Sequence, residues 1–321
     1  MSPNVNGALL SLLSFGIYAS HDVIVKTLGG TYSPFQIVFF SVLFSFPLAM
    51  ILLIRDSEPG HLRPVHPWWT ALRTVAAVTT GASAFYAFSN LPLAQVYAIL
   101  FAAPLIITLL SIPILGERVR LRRWMAVIVG LCGVLVVLRP GMTTLAAGHM
   151  AALVAAFGSA LASIIVRKIG NEERPVVLVL YPMLTNFVVM GALTAFVYVP
   201  MPLEHLALNA TMALLGFTAS IIIIYAYKAA EAVIVAPMQY SQILWATIFG
   251  VLLFDEIPDA LTLLGAGIII ASGIYIVVRE GVADTSENTP VLQNRSRFET
   301  GTIPRISTLL RLRKDRAKDP H

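Results

Sequence analysis

The sequence predicts an all-α integral membrane protein, with ten transmembrane helices in two inverted five-helix repeats. Three observations carry that expectation. The 321 residues are 57% hydrophobic and only 12% charged, with a mean hydropathy of +0.81, and an ordinary soluble domain carries about twice that charge. The apolar residues gather into ten runs, each near the roughly 20 residues that a membrane-crossing helix needs. The second half of the chain also echoes the first at a nearly constant offset. A soluble enzyme and a disordered chain are both excluded by this composition.

In chain order the runs span about 5 to 28, 34 to 54, 68 to 90, 93 to 115, 122 to 139, 148 to 167, 175 to 199, 208 to 230, 233 to 254 and 260 to 278. Charge clusters, Pro or Gly bound each one, and no period-two pattern of a membrane barrel occurs. The first run lacks a basic leader and a small-residue cleavage site, so it reads as a retained span. The single Cys132 lies inside an apolar run. It excludes an intramolecular disulfide and a cysteine metal site, and its expected role is packing.

The net charge is +5, but Lys and Arg are scattered over short loops and the tail, so they signal topology and not nucleic-acid binding. With the N-terminus inside, 20 of the 22 Lys and Arg residues fall on the inner side and only Lys26 and Arg139 outside. The positive-inside rule then places both termini in the cytoplasm. A multi-pass protein of the cell (inner) membrane follows.

The repeat is read from several matches in order. Gly7, Lys26, Gly29 and Pro34 recur 141 residues later as Gly148, Arg167, Gly170 and Pro175. Tyr86-Ala87-Phe88 becomes Tyr225-Ala226-Tyr227 and Gly116-Glu117 becomes Asp255-Glu256, both at 139. Arg139-Pro140-Gly141 becomes Arg279-Glu280-Gly281 at 140. Residues 1–141 and 142–280 are therefore two five-span units, and residues 281–321 form a basic cytoplasmic tail whose default state is disorder. An odd number of spans forces the second unit to enter the membrane upside down, the plan of secondary transporters that bind substrate between the repeats near the midplane.

Ten spans in two repeats, Gly116-Glu117 after the fourth span, and a fifth span from Trp124 to Arg139 followed by Pro140-Gly141 resemble the drug/metabolite transporter superfamily, specifically its EamA-type members. The likeness covers residues 5 to 279. The segment from Ser20 through His21, Asp22 and Lys26 to Gly29 is also similar to bacterial S-adenosylmethionine uptake carriers of this family. Asp255 departs from the pattern where the first unit has Gly116, which bears on the tightness of that turn.

Polar side chains inside the spans outline a cavity, because they are costly in lipid. Ser11, Ser14, Tyr18 and His21 or Asp22 share one face of the first span. Asp22 precedes Lys26 by four residues, the order of a helical ion pair, and the alternative is a role in substrate or proton binding. Thr79, Ser83, Tyr86 and Asn90 follow the same spacing in the third span, and Tyr97, Phe101, Pro104, Thr108 and Ser111 in the fourth. The deepest group is Gln239-Tyr240-Ser241-Gln242 in the ninth span, with Trp245 a turn away. The counterpart of Tyr240-Ser241-Gln242 in the first unit, Phe101-Ala102-Ala103, is apolar. Asn186 and Tyr225 add further neutral donors and acceptors. Tyr18, Asp22, Tyr86, Asn90, Tyr97, Asn186, Tyr225, Gln239, Tyr240, Gln242 and Trp245 are thus the candidate cavity residues. Glu117 and Glu256 read as caps of the following helices, and Lys228 and Glu231 as an interfacial pair.

No H-E-x-x-H, G-x-S-x-G or G-x-x-x-x-G-K signature is present, so no catalytic residue, metal or cofactor is expected. The expected function is alternating-access transport of a small amphipathic organic metabolite, such as an amino-acid-like compound, S-adenosylmethionine or a riboflavin-like molecule. A multidrug or metabolite exporter of the same fold, and a non-transporting scaffold or channel, are the alternatives. The expected partners are the substrate and anionic lipid at the basic tail, with no nucleic acid, in a monomer or weak homodimer.

Overall fold

The computed structural model describes residues 3–54, 62–116, 121–139, 145–170, 172–230 and 232–281. The expectations for Glu117, Glu231, the Pro140-Gly141 turn and the basic tail lie outside these residues, as does that for the Lys228 side chain. The described residues form helices without a strand. The helices are α1 (Pro3–Gly29), α2 (Pro34–Ile54), α3 (Pro67–Asn90), α4 (Leu93–Leu100), α5 (Ala103–Leu115) and α6 (Leu121–Leu138) in the first unit. In the second they are α7 (Ala147–Ile169), α8 (Pro175–Val197), α9 (Leu203–Ala229), α10 (Ala232–Val235), α11 (Gln242–Phe254) and α12 (Ala260–Gly281). A 3-10 turn, Ala236–Ser241, joins α10 to α11.

Proline sets several of these boundaries. Pro34, Pro67 and Pro175 open α2, α3 and α8, where a missing N–H costs no bond. Pro104 and Pro237 instead break the fourth and ninth spans, since each ring displaces the carbonyl four residues earlier. For Pro104 that carbonyl belongs to Leu100, the last residue of α4. The breaks at Phe101-Ala102 and Tyr240-Ser241 are 139 residues apart, so both repeats carry a discontinuous fourth helix.

Gly116 ends α5 at φ 73° and Asp255 ends α11 at φ 54°. The turn at Asp255 is therefore as tight as its glycine counterpart, because Asp tolerates the left-handed conformation better than most residues. The strain remains. Asp255→Gly is expected to stabilise the protein by about 0.5–1 kcal/mol, read as a rise in the thermal midpoint in detergent.

Packing shows the inversion directly. α1 lies along α9, and its repeat counterpart α7 lies along α3; α2 packs on α8, and α6 on α12. A Cβ on Gly7 would stand 2.2 Å from Ala230 Cβ, and one on Gly148 would stand 2.8 Å from Leu91 Cγ. Leu91 and Ala230 are themselves counterparts, so the same close approach is made at opposite ends of the bundle. Likewise Tyr32 Oη bonds His205 Nδ1 at 2.6 Å, while His66, the counterpart of His205, takes Glu172 at 2.6 Å through Nε2.

Large apolar side chains such as Phe196, Val188 and Leu252 stand exposed on the outside of the bundle, as lipid-facing residues do. Cys132 is exposed too. The expected packing role is corrected, since its side chain is on the outer face of α6.

Candidate functional site

The two helix breaks meet in the middle of the molecule. The Phe101 ring packs edge-to-face on Tyr240 at 5.0 Å, and Tyr97 and Phe88 continue the aromatic row from Phe101 along α4 and α3. Irregular backbone at this depth is tolerated where it lines a cavity or is enclosed by protein. Gln242, the first residue of α11, is fully buried, and neither its amide oxygen nor its nitrogen has a hydrogen-bond partner among the described residues. A buried amide left in that state costs about 1–3 kcal/mol. Trp245, one turn on, is half-buried and lies against Gly16 of α1, where a Cβ would come within 3.1 Å of the indole.

Asp22 is buried and is held by Tyr97, whose hydroxyl donates to it, and by His21, whose Nδ1 lies 2.7 Å from Oδ1. The ion pair expected between Asp22 and Lys26 is corrected, because Lys26 reaches across to the other repeat. Its Nζ lies 2.7 Å from Glu256 Oε1 and donates to the Leu91 carbonyl at 2.6 Å. The remaining Glu256 oxygen accepts the N–H of Leu93 at 3.1 Å. Glu256 therefore caps α4 of the first repeat and not the helix that follows it, and Asp259 caps α12 instead by accepting the N–H of Thr262 at 2.8 Å. An anion at a helix N-terminus is favoured by the helix dipole. Here the same carboxylate latches α1, the start of α4 and the loop after α11.

The two ends of the bundle differ. At the Lys26 end α1 packs against α3, so closely that a Cβ on Gly29 would overlap Ser89 Oγ. Among the described residues, the counterpart pair, α7 and α9, makes few contacts. Tyr225, near that end of α9, is 56% exposed, whereas its counterpart Tyr86 is half-buried. Among the described residues, the two repeats thus pack unequally, the α1–α3 contact having no equal in the α7–α9 pair.

The structure brings Asp22, Tyr97, Gln239, Tyr240, Gln242 and Trp245 to the contacts among α1, α4 and the broken ninth span. Tyr18 is tied to α9 through Ser220 at 2.5 Å. Asn90 is exposed and turns its amide back to the Tyr86 carbonyl at 2.8 Å. Asn186 is fully buried, but α8 packs on α2 and α3, away from the ninth span. Glu256 and Leu91 were missed as parts of the site. The signal that could have found the latch is the matched pair of a basic residue ending the first span (Lys26, Arg167) and an acid after the fourth (Glu117, Glu256) in each repeat.

The EamA-like transporter family model matches the chain twice, over residues 5–139 and 146–279. The S-adenosylmethionine uptake transporter of Rickettsia prowazekii is 26% identical over 292 residues, covering 88% of this chain and 96% of that protein. The pseudopaline exporter CntI of Pseudomonas aeruginosa is 26% identical over 274 residues, covering 84% of this chain and 95% of that protein. A crystal structure at 16% identity superposes with a TM-score of 0.54, over 85% of this chain and 98% of the other, and shows a shared fold. With both five-helix units matched, the chain belongs to the EamA-like transporter family.

Proposed function

We propose that the protein is a secondary transporter carrying a small amphipathic metabolite by alternating access, with S-adenosylmethionine the first candidate. The observation that carries this reading is the unequal packing of two symmetric repeats. A pseudo-symmetric pair that is closed at one end has a second arrangement, closed at the other, within reach, and exchange between the two is alternating access. The substrate class rests on the relatives' names and on the aromatic and amide groups between α1, α4 and α11, which suit a planar or zwitterionic molecule. The relatives are named for opposite directions of transport, so they favour neither.

By the positive-inside count, the Lys26 end faces out and both termini lie in the cytoplasm. Reporter fusions after Arg139 are expected to read outside and those after Arg174 inside; the reverse pattern would overturn the orientation. The substrate reading is tested by thermal stabilisation of the purified protein across a panel containing S-adenosylmethionine, amino acids and riboflavin. Saturable stabilisation by one of them is expected, and a panel without any shift would sink this substrate class.

A further inference from the structure

Where the first repeat carries a buried acid, the second carries none. Asp22, His21 and Tyr97 correspond to Ser163, Ala162 and Ala236, at offsets of 141, 141 and 139, and all of these residues are buried. Small neutral side chains therefore satisfy the packing at these positions. A carboxylate inside a span is costly, so the acid serves something that packing does not require.

Its surroundings limit what it can bind. The Tyr97 hydroxyl donates to Oδ2, His21 Nδ1 lies 2.7 Å from Oδ1, and Asp22 is 4% exposed. No metabolite fits between these groups while the Lys26 end is shut, but a proton does. An ionised carboxylate only accepts hydrogen bonds, so Nδ1 carries the hydrogen of the neutral ring and Nε2 is left as the base. The three side chains then carry one negative charge. A proton on Nε2 turns the pair into a neutral imidazolium–carboxylate, which is cheaper to enclose than an uncompensated charge.

The pair also sits in the seam that must part when this end opens. Asp22 is one turn from Lys26 of the latch, and the His21 ring stands edge-on to Phe85 of α3 at 6.0 Å, one turn before Ser89, against which Gly29 closes. Parting α1 from α3 and α4 admits water to the pair, and closing them encloses it. The neighbouring ionisable groups are fixed. On α1, Tyr18 bonds Ser220 and Lys26 is neutralised by Glu256. Arg73 lies at the far end of α3, on the Leu178 carbonyl. The 3-10 turn supplies Gln239 and Tyr240, and α2, α10 and α11 carry no charged side chain. Glu204 and His205 begin α9, with His205 on Tyr32, and Lys228 lies near its opposite end.

We propose that the His21–Asp22 pair is a proton-coupling site, which takes up one proton at His21 Nε2 each time the Lys26 end closes and gives it up when that end opens. This rests on the alternating-access reading but on no particular substrate. Acid therefore favours the closed end and base the open one. Protonation of Glu256 would act with the opposite sign, since it would weaken the latch.

The test uses the full chain in detergent with Cys132→Ser and Ser89→Cys, and no substrate. The maleimide labelling rate is divided at each pH by that of the same protein unfolded, which cancels the chemistry of the thiol. The ratio is expected to rise about tenfold between about pH 6 and about pH 8, where histidine titrates, because one proton released on opening is worth up to tenfold per pH unit. Asp22→Asn and, separately, His21→Gln should each abolish the rise, while His205→Gln should keep it. Labelling that Glu256→Gln accelerates but pH does not move would overturn the proton site and leave alternating access standing; labelling that neither moves would overturn both. A ratio that falls with pH, or a rise that survives Asp22→Asn or His21→Gln or vanishes in His205→Gln, would also overturn the proposal.

Discussion

Gln242→Leu is expected to reduce transport by about 10- to 100-fold while the protein keeps or slightly raises its thermal stability. Leu has nearly the shape of the amide it replaces. Gln242 is fully enclosed and both its polar atoms lack partners among the described residues, so the substitution removes a desolvation cost of about 1–3 kcal/mol and breaks no bond among them. Asn186 is a fully buried amide in the same state, and what sets Gln242 apart is its place at the start of α11, beside the helix break where Tyr240 meets Phe101. One or two neutral hydrogen bonds to substrate are worth about 1–3 kcal/mol, which sets the range of the loss. Uptake by proteoliposomes alongside a melting curve reads both effects. Unchanged transport would remove Gln242 from the cavity, and a strongly lowered melting point would show a structural amide.

Glu256→Gln is expected to open the Lys26 end. The carboxylate holds Lys26 of the first repeat and caps α4 at the same time, and Lys26 is largely withdrawn from solvent. Losing a charge-assisted bond there costs the closed form about 1.5–3 kcal/mol, a shift in the closed-to-open ratio of roughly 10- to 100-fold. Ser89 lies in the α1–α3 seam. In a Cys132→Ser background, a cysteine placed by Ser89→Cys should therefore react with maleimide at least about tenfold faster when Glu256→Gln is added. An unchanged rate would mean that the latch does not govern closure.

The ten spans were legible because each is a long apolar run with a clear polar stop, and the inversion because five is odd. The broken fourth and ninth helices were half visible through Pro104 and Pro237. The partners of Asp22 were not, since a four-residue spacing advertises Lys26 on the same helix, whereas α1 meets α4 and the loop after α11 only in the assembled bundle. Helical periodicity groups residues on a face but does not say what that face meets. This is why Asn186 and Gln242, alike in sequence as amides deep in apolar spans, are separated by the fold.

Alternating access is tested most directly by counterflow. Proteoliposomes are loaded with an excess of the unlabelled compound that stabilises the protein in the binding screen, then diluted into a trace of the labelled one. A carrier whose site opens to one side at a time predicts a transient accumulation of label above its equilibrium level, abolished by Gln242→Leu. A simple monotonic approach to equilibrium, or label entry that does not saturate, would contradict it.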